Sequence, residues 1–316
     1  MGAIFITPVD VSPSTGSWLD VDVSAYVPSG SSGVILHIVN TDITGRLAGV
    51  RKNGSTDARN TSVVNDSHFW AAIGVDTSRI FEAYIAAAAV EIWLIGYLDS
   101  DAVFFTNAAN KSLGSTGSWL DIDISSDTGA DTAIAAILEI ILLNTTDTWG
   151  VRKNGSSDSR LMTGISHRWA IIGVDGSEIF EHQINVTDVD CFLVGYLKAG
   201  ATLNTNAPDR SLGSTGSWLD LTALPSGAVG GIYEISGAVN ANYGLRKNGS
   251  AESILRRHRD HAWGLVECDG SQIVEGQISS TTIDFFEIGY FMWAEPLWHS
   301  GSPWSKTALW GSSYWG

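Results

Sequence analysis

The sequence predicts an all-β protein: three tandem β-sandwich domains, jelly-roll or immunoglobulin-like, followed by a tryptophan-rich C-terminal tail. Three observations carry this. The phrase GSTGSWLD stands at Gly114 and Gly213 and returns, less its first residue, at Ser14. Behind each copy, three further phrases follow in the same order. Between the phrases lie short apolar stretches rich in Ile, Val and aromatics, separated by Gly, Asn, Asp and Ser, which is the pattern of strands and turns.

Trp18, Trp119 and Trp218 mark the repeat, with spacings of 101 and 99 residues. VRKNGS follows at Val50 and Val151, and LRKNGS at Leu245. HFWAAIGVD, HRWAIIGVD and HAWGLVECD begin at His68, His167 and His261. IWLIGYL, CFLVGYL and FFEIGYF close the units, and from the histidine to the glycine of GY is 28 residues each time. A period near 100 is too long for a solenoid repeat and suits one domain per repeat. The expected domains are residues 1–100, 101–199 and 200–290, with a tail over 291–316. They are expected to be separable, with proteolysis first around DSDA and KAGA.

Each unit opens on a short strand (AIFIT, AVFFT, ATLNT), then a GSTGS turn. SWLDVDVS alternates apolar and polar residues, the period of a half-buried strand. The tryptophan at its start is expected to cap one end of the core. GVILHIVN is a continuous apolar strand. Its counterpart in the second repeat, ADTAIAAILEIILL, has helical composition but takes the same assignment by register. Asn-Gly in RKNGS predicts a two-residue type I′ hairpin. VDTSR, VDGSE and CDGSQ predict a second turn, and RIFEAYI and VEIWLIGYL the last strands.

Composition narrows the function. The chain has 316 residues, 44% hydrophobic and 16% charged, with net charge −16. An acidic balance excludes a phosphate-binding face, so no nucleic-acid partner is expected. The excess acid is spread over all three repeats. MGAIFITPVD lacks the basic and apolar regions of a secretory signal, which predicts synthesis in the cytoplasm. The longest apolar run, AYIAAAAVEIWLIGYL, is broken by Glu91 and is too short to span a bilayer.

His68, His167 and His261 recur, each two residues before a tryptophan: Trp70, Trp169 and Trp263. No second histidine, cysteine or paired carboxylate accompanies them at ligand spacing, so they read as structural, and the tryptophans as core. Arg51, Arg152 and Arg246 recur with Glu82, Glu181 and Glu275. In a chain poor in charge these read as partly buried bridges, with a carboxylate- or sugar-binding fork as the alternative. Asp20-x-Asp22 and Asp121-x-Asp123 become Asp220-Leu221-Thr222 in the third unit, which argues against a shared calcium site. Cys191 and Cys268 occupy unrelated positions, so neither a repeated disulfide nor a repeated metal site follows. Arg59 and Arg160 match by position, while the third unit has Ile254 there. RRHRD from Arg256 is the one locally basic spot, read as an exposed loop or a partner contact. No catalytic motif is present, so no catalytic residue, cofactor or metal is expected.

Trp293, Trp298, Trp304, Trp310 and Trp315 lie in the last 26 residues, separated by Gly, Ser and Pro. Tryptophan density of this kind predicts partner binding, with a tail folded back over an edge strand of the third sandwich as the alternative.

The phrases GVRKNGSTD, HFWAAIGVD and FLVGYL resemble those of small repeated β domains in bacteriophage and phage-like virion proteins. The resemblance covers residues 1–290, once per repeat, and brings no catalytic residues with it. It implies a non-enzymatic structural role on a virus particle, as a capsid decoration or tail component. Expected partners are other virion proteins, in a homo-oligomer or bound to a particle made in the host cytoplasm. The alternative is a carbohydrate-binding adhesin whose loop aromatics stack on glycans. A glycoside hydrolase is the third reading, because carboxylates are numerous.

Overall fold

A computed structural model describes residues 2–292, apart from 143, 145, 164–165, 238–239 and 258–260. The first repeat holds β1 (Ala3–Asp10), β2 (Leu19–Asp22), β3 (Gly33–Asn40), β4 (Arg46–Lys52), β5 (Thr61–Val63), β6 (Ser67–Gly74), β7 (Ile80–Ile85) and β8 (Val90–Leu98). The second holds β9 (Ala102–Asn110), β10 (Leu120–Asp123), a one-turn helix α1 (Ser125–Thr128), β11 (Ala135–Leu142), β12 (Thr148–Lys153), β13 (Met162–Thr163), β14 (Ser166–Gly173), β15 (Ile179–Ile184) and β16 (Asp190–Leu197). The third holds β17 (Ala201–Leu203), β18 (Leu219–Asp220), β19 (Ala228–Gly237), β20 (Asn242–Lys247), β21 (Arg256–Arg257), β22 (His261–Glu267), β23 (Val274–Ile278) and β24 (Ile283–Met292).

The topology decides between the two sandwich types. In the first repeat the sheets run β1-β8-β3-β6 and β2-β7-β4-β5, all antiparallel, and the same order recurs in the other two. Among the described residues only one consecutive pair in each repeat, such as β4 and β5, is hydrogen-bonded. Elsewhere the chain crosses from one sheet to the other. Eight strands laid down this way make a jelly roll, not an immunoglobulin sandwich. The helix-prone stretch of the second repeat is strand β11, between β14 and β16. Burial overrides propensity there, since all its residues are buried.

The two sheets of each repeat have different surroundings. β7 alternates half-buried and buried residues, as a strand does with one face in a core and one toward water. β3 and β6 are buried at every residue. Their second faces are covered by the neighbouring repeats: β6, β14 and β22 touch one another pairwise. They meet in an apolar centre lined by Trp70, Trp169, Trp263, Ala72, Ile137 and Leu265. The three jelly rolls therefore close a quasi-threefold ring in which each repeat touches both others. Among the described residues no strand is exchanged between repeats.

The Asn-Gly turn differs from its expected form. Ser55 donates its backbone N–H to Lys52, closing a turn at Asn53-Gly54. Positive φ is confined to Gly54 (77°), so the turn is not type I′. The asparagine is used elsewhere: Asn53 Nδ2 donates to Asp76 Oδ2 at 2.7 Å, Asn154 to Asp175 at 2.7 Å and Asn248 to Asp269 at 2.9 Å. RKNGS and the later VD/CD turn thus clasp each other in every repeat.

Candidate functional site at the ring-closing junction

The recurring arginine and glutamate are cross-strand partners. Arg51 on β4 faces Glu82 on β7, Arg152 faces Glu181, and Arg246 faces Glu275. Arg51 Nε and Nη2 donate to the two Glu82 oxygens at 3.0 and 2.9 Å. Arg152 and Glu181 repeat the fork at 2.8 and 3.0 Å. Each guanidinium lies under an indole, with Trp18, Trp119 and Trp218 at 4.3, 4.2 and 4.1 Å. These tryptophans are half-buried on the outer sheet and do not cap the sandwich core. Gly49 makes the approach possible, because a Cβ there would lie 2.8 Å from the Trp18 ring and 2.4 Å from the Arg59 carbonyl. The fork is consumed internally, with its outer face shielded by an aromatic ring.

The repeated histidines and tryptophans sit between repeats. Glu139 lies directly opposite Trp169 on the adjacent strand, and Glu234 opposite Trp263. Glu139 accepts from Arg59 of the preceding repeat at 2.7 Å and pairs with His167 of its own. Glu234 accepts from Arg160 at 2.7 Å and pairs with His261 at 2.6 Å. Arg59 also bonds Asp57 at 2.9 Å and covers the Phe192 ring at 4.2 Å, while Arg160 does the same with Asp158 and Phe286. An Arg–Glu–His relay thus locks the first junction and again the second. No pairing of these histidines with a carboxylate is legible along the chain, because Glu139 and Glu234 lie 28 and 27 residues from them. Their partnership depends on the register between two strands that are not consecutive. A carboxylate inside the apolar run AAILEIIL is the signal that points to it.

The junction between the third and first repeats is built differently. His37 occupies the position of Glu139 and Glu234, opposite Trp70. It stacks on Trp70 at 4.3 Å and shares a 2.8 Å hydrogen bond with His68. Burial, then the charge of Arg256, pushes the His37 imidazole down to about 3, so it is neutral at physiological pH. Ile254 stands where Arg59 and Arg160 stand. Pro8 replaces Asn107 and Asn206, whose side chains clasp Ser55 and Ser156 at 3.0 Å. Glu267 replaces Gly74 and Gly173, where an added Cβ would collide with Phe104 and Leu203 of the next repeat. Lys52 and Lys153 donate to the carbonyls of those two residues, whereas Lys247 turns to Glu267 at 2.7 Å.

Other contacts close this junction. Arg257 and Arg256 face Asp66 at 3.1 and 3.8 Å. Tyr243 donates to the His68 carbonyl at 3.2 Å. The basic cluster read as an exposed loop or partner contact therefore has its two described arginines committed within the chain. His258, Arg259 and Asp260 lie outside the described residues. Where the first and second junctions leave about 10 Å³ each, the third opens into a cleft of about 620 Å³.

The remaining candidates are placed as follows. Asp20, Asp22, Asp121, Asp123 and Asp220 are exposed, and Asp22 and Asp123 accept from Ser24 and Ser125 in local turns at 2.8 Å. Among the described residues no group of three His, Cys, Asp or Glu could hold a metal. Burial pushes the Cys191 thiol up to about 12 and the Cys268 thiol up to about 11, so both stay protonated and unreactive. Trp293, Trp298, Trp304, Trp310 and Trp315 lie outside the described residues. Among the described residues no helix is long and apolar enough to cross a membrane.

No protein-family model matches the chain, and no curated protein matches it. Among solved structures, a chain of the "X-ray structure of the entire lipid-containing bacteriophage PM2" aligns with 10% identity over 92% of this chain and 88% of the other, at a TM-score of 0.16. A likeness at that level carries no argument.

Proposed function

We propose that this protein is a non-enzymatic structural component of a virus particle, a capsid decoration or tail protein. One observation carries the reading: the recurrent polar chemistry of the chain is spent on holding three jelly rolls together. The repeated histidines and the tryptophans two residues after them are buried in each repeat, and the relay arginines and glutamates are spent on two of the three junctions. None of them is left with the exposed, positioned proton acceptor that acid–base catalysis needs. The jelly roll is an architecture that capsid domains use, and the resemblance of the repeated phrases to virion proteins points the same way. On this reading the partners are other particle proteins and the site of action is the virion. The tail tryptophans are the proposed anchor.

The test is incorporation. Full-length chain and a form truncated after Phe291 are co-expressed with particles, and the purified particles are assayed for each. Expected is stoichiometric retention of the full chain and loss of the truncated one, with both folded. A folded full-length chain that never co-purifies with particles refutes the reading. A hydrolase screen, polysaccharides included, is run beside it on wild type and on Glu82→Gln, Glu181→Gln and Glu275→Gln combined. Wild-type turnover that vanishes in the triple variant makes the chain an enzyme.

A glycan-binding adhesin is the second reading. It is favoured by Trp18, Trp119 and Trp218, half-buried at equivalent outer positions around the ring, a layout suited to multivalent capture. Saturable binding on a glycan array, lost in the three Trp→Ala variants, selects it.

A further inference from the structure

We propose that the cleft at the ring-closing junction receives a guanidinium group, the arginine side chain of a partner protein. This goes beyond the particle reading and does not depend on it. The chain carries its own template. At the first and second junctions the corresponding space holds Arg59 and Arg160, each flanked by the carboxylate of Asp57 or Asp158. At the third junction no arginine comes from this position, since residue 254 is isoleucine. Of the two carboxylates that hold Arg59 and Arg160, the buried glutamate is replaced here by His37, while the other remains, as Glu252, and the space is open.

The charges lining the cleft show what is missing. Arg246 is committed to Glu275 at 2.8 Å and Lys247 to Glu267 at 2.7 Å; Arg256, outside the lining, faces Asp66. Glu252 forms no ion pair among the described residues, although half-buried. Burial, and then the neighbouring Glu267 charge, raise its carboxyl above the ordinary range, against the smaller opposing pull of Arg246 and of a hydrogen bond with Ser250. A glutamate at the place of the acid of Asp57 reaches one methylene further into the open space. His37, neutral here, offers no competing positive charge, and Phe5 and Ile6 give the cleft an apolar wall on which the stem and plane of an arginine can lie. A cleft of about 620 Å³ is within the usual size range of ligand sites, roughly 300–1,000 Å³.

The test uses the whole folded chain. N-acetyl-arginine methylamide is titrated by calorimetry and by amide chemical shifts, with the citrulline counterpart as the neutral isostere. Expected is saturable binding at one site, with shifts around residues 245–252 and 5–8, and binding at least about tenfold weaker for citrulline. Glu252→Gln should weaken the arginine probe by about tenfold or more. Ile254→Arg, which copies the residue of the other two junctions, should close the cleft and abolish binding. Circular dichroism establishes folding first, and Ile254→Arg decides alone if Glu252→Gln does not fold. Absence of saturable arginine binding to the wild type overturns the inference. So does binding that Ile254→Arg leaves unchanged.

Discussion

Arg59 of the first repeat reaches across a domain boundary to Glu139 of the second, 2.7 Å from Nε to Oε2, and the glutamate side chain is 2% exposed. A buried carboxylate left without its cation is costly. Arg59→Ala is therefore expected to lower stability by about 3 kcal/mol. Arg46→Ala, at an ion pair whose arginine is 40% exposed, should cost no more than ~1 kcal/mol. Urea denaturation of the two variants distinguishes them. Equal small losses would mean that the relay does not lock the junction.

Trp169 is 3% exposed at the meeting point of the three repeats. Trp169→Ala should cost ~3–5 kcal/mol, the range for emptying a buried aromatic site. Trp119→Ala, which removes a half-buried ring from over Arg152, should cost less. Thermal melts at a fixed pH check the order, and the reverse order would relocate the core.

Stability should fall on acidification below neutrality. His37 is held down to about 3 and His182, buried on β15, down to about 4, both by burial. The unfolded imidazole titrates near ~6.5. Between these values the unfolded chain binds protons that the folded chain refuses, so falling pH favours unfolding. The contribution is fully present above ~6.5 and declines toward pH 3–4. Unfolding free energies at pH 7.5, 6 and 5 should decrease in that order, and His182→Leu should flatten the slope. A slope unchanged in His182→Leu would assign the effect to other groups.

Cleavage between repeats should not take the ring apart. The linkers at 99–101 and 198–200 join strands that belong to different sheets, while the junctions are held by side chains far from them in sequence. Limited proteolysis at either linker should give fragments that migrate together on a native gel and separate only in denaturant. Fragments that part at once would show three independently standing domains.

The fold was legible because the repeat phrases hold the turns and strand cores in register. Asp76, Asn53 and Gly54 recur because one turn clasps another. Arg51 and Glu82 could be paired from their recurrence alone. The ring was not legible in the same way. Its one trace was that GVILHIVN and HFWAAIGVD run apolar without alternation, the mark of strands covered on both faces. Which repeat covers which is a matter of contacts about 80 residues apart, such as Arg59 with Glu139, and no local pattern encodes them. The cleft was visible only as exceptions to the repeat: Ile254 for arginine, His37 for glutamate and Pro8 for asparagine. A break in a pattern gains meaning once the pattern's contact is known.

A ring of three separate identical chains would have the same residue at all three interfaces, by symmetry. Here the subunits are covalently joined, and that constraint is lifted. Each interface can be specified on its own, and the linkers keep the local concentration of every neighbour high even where a junction is loosely packed. The result is an object with approximate threefold shape but a single marked side. A partner that recognises His37 and Glu252 meets one such address per molecule, not three, and so docks in one orientation with a one-to-one count. The divergence of a single junction turns a symmetrical body into one that has a direction.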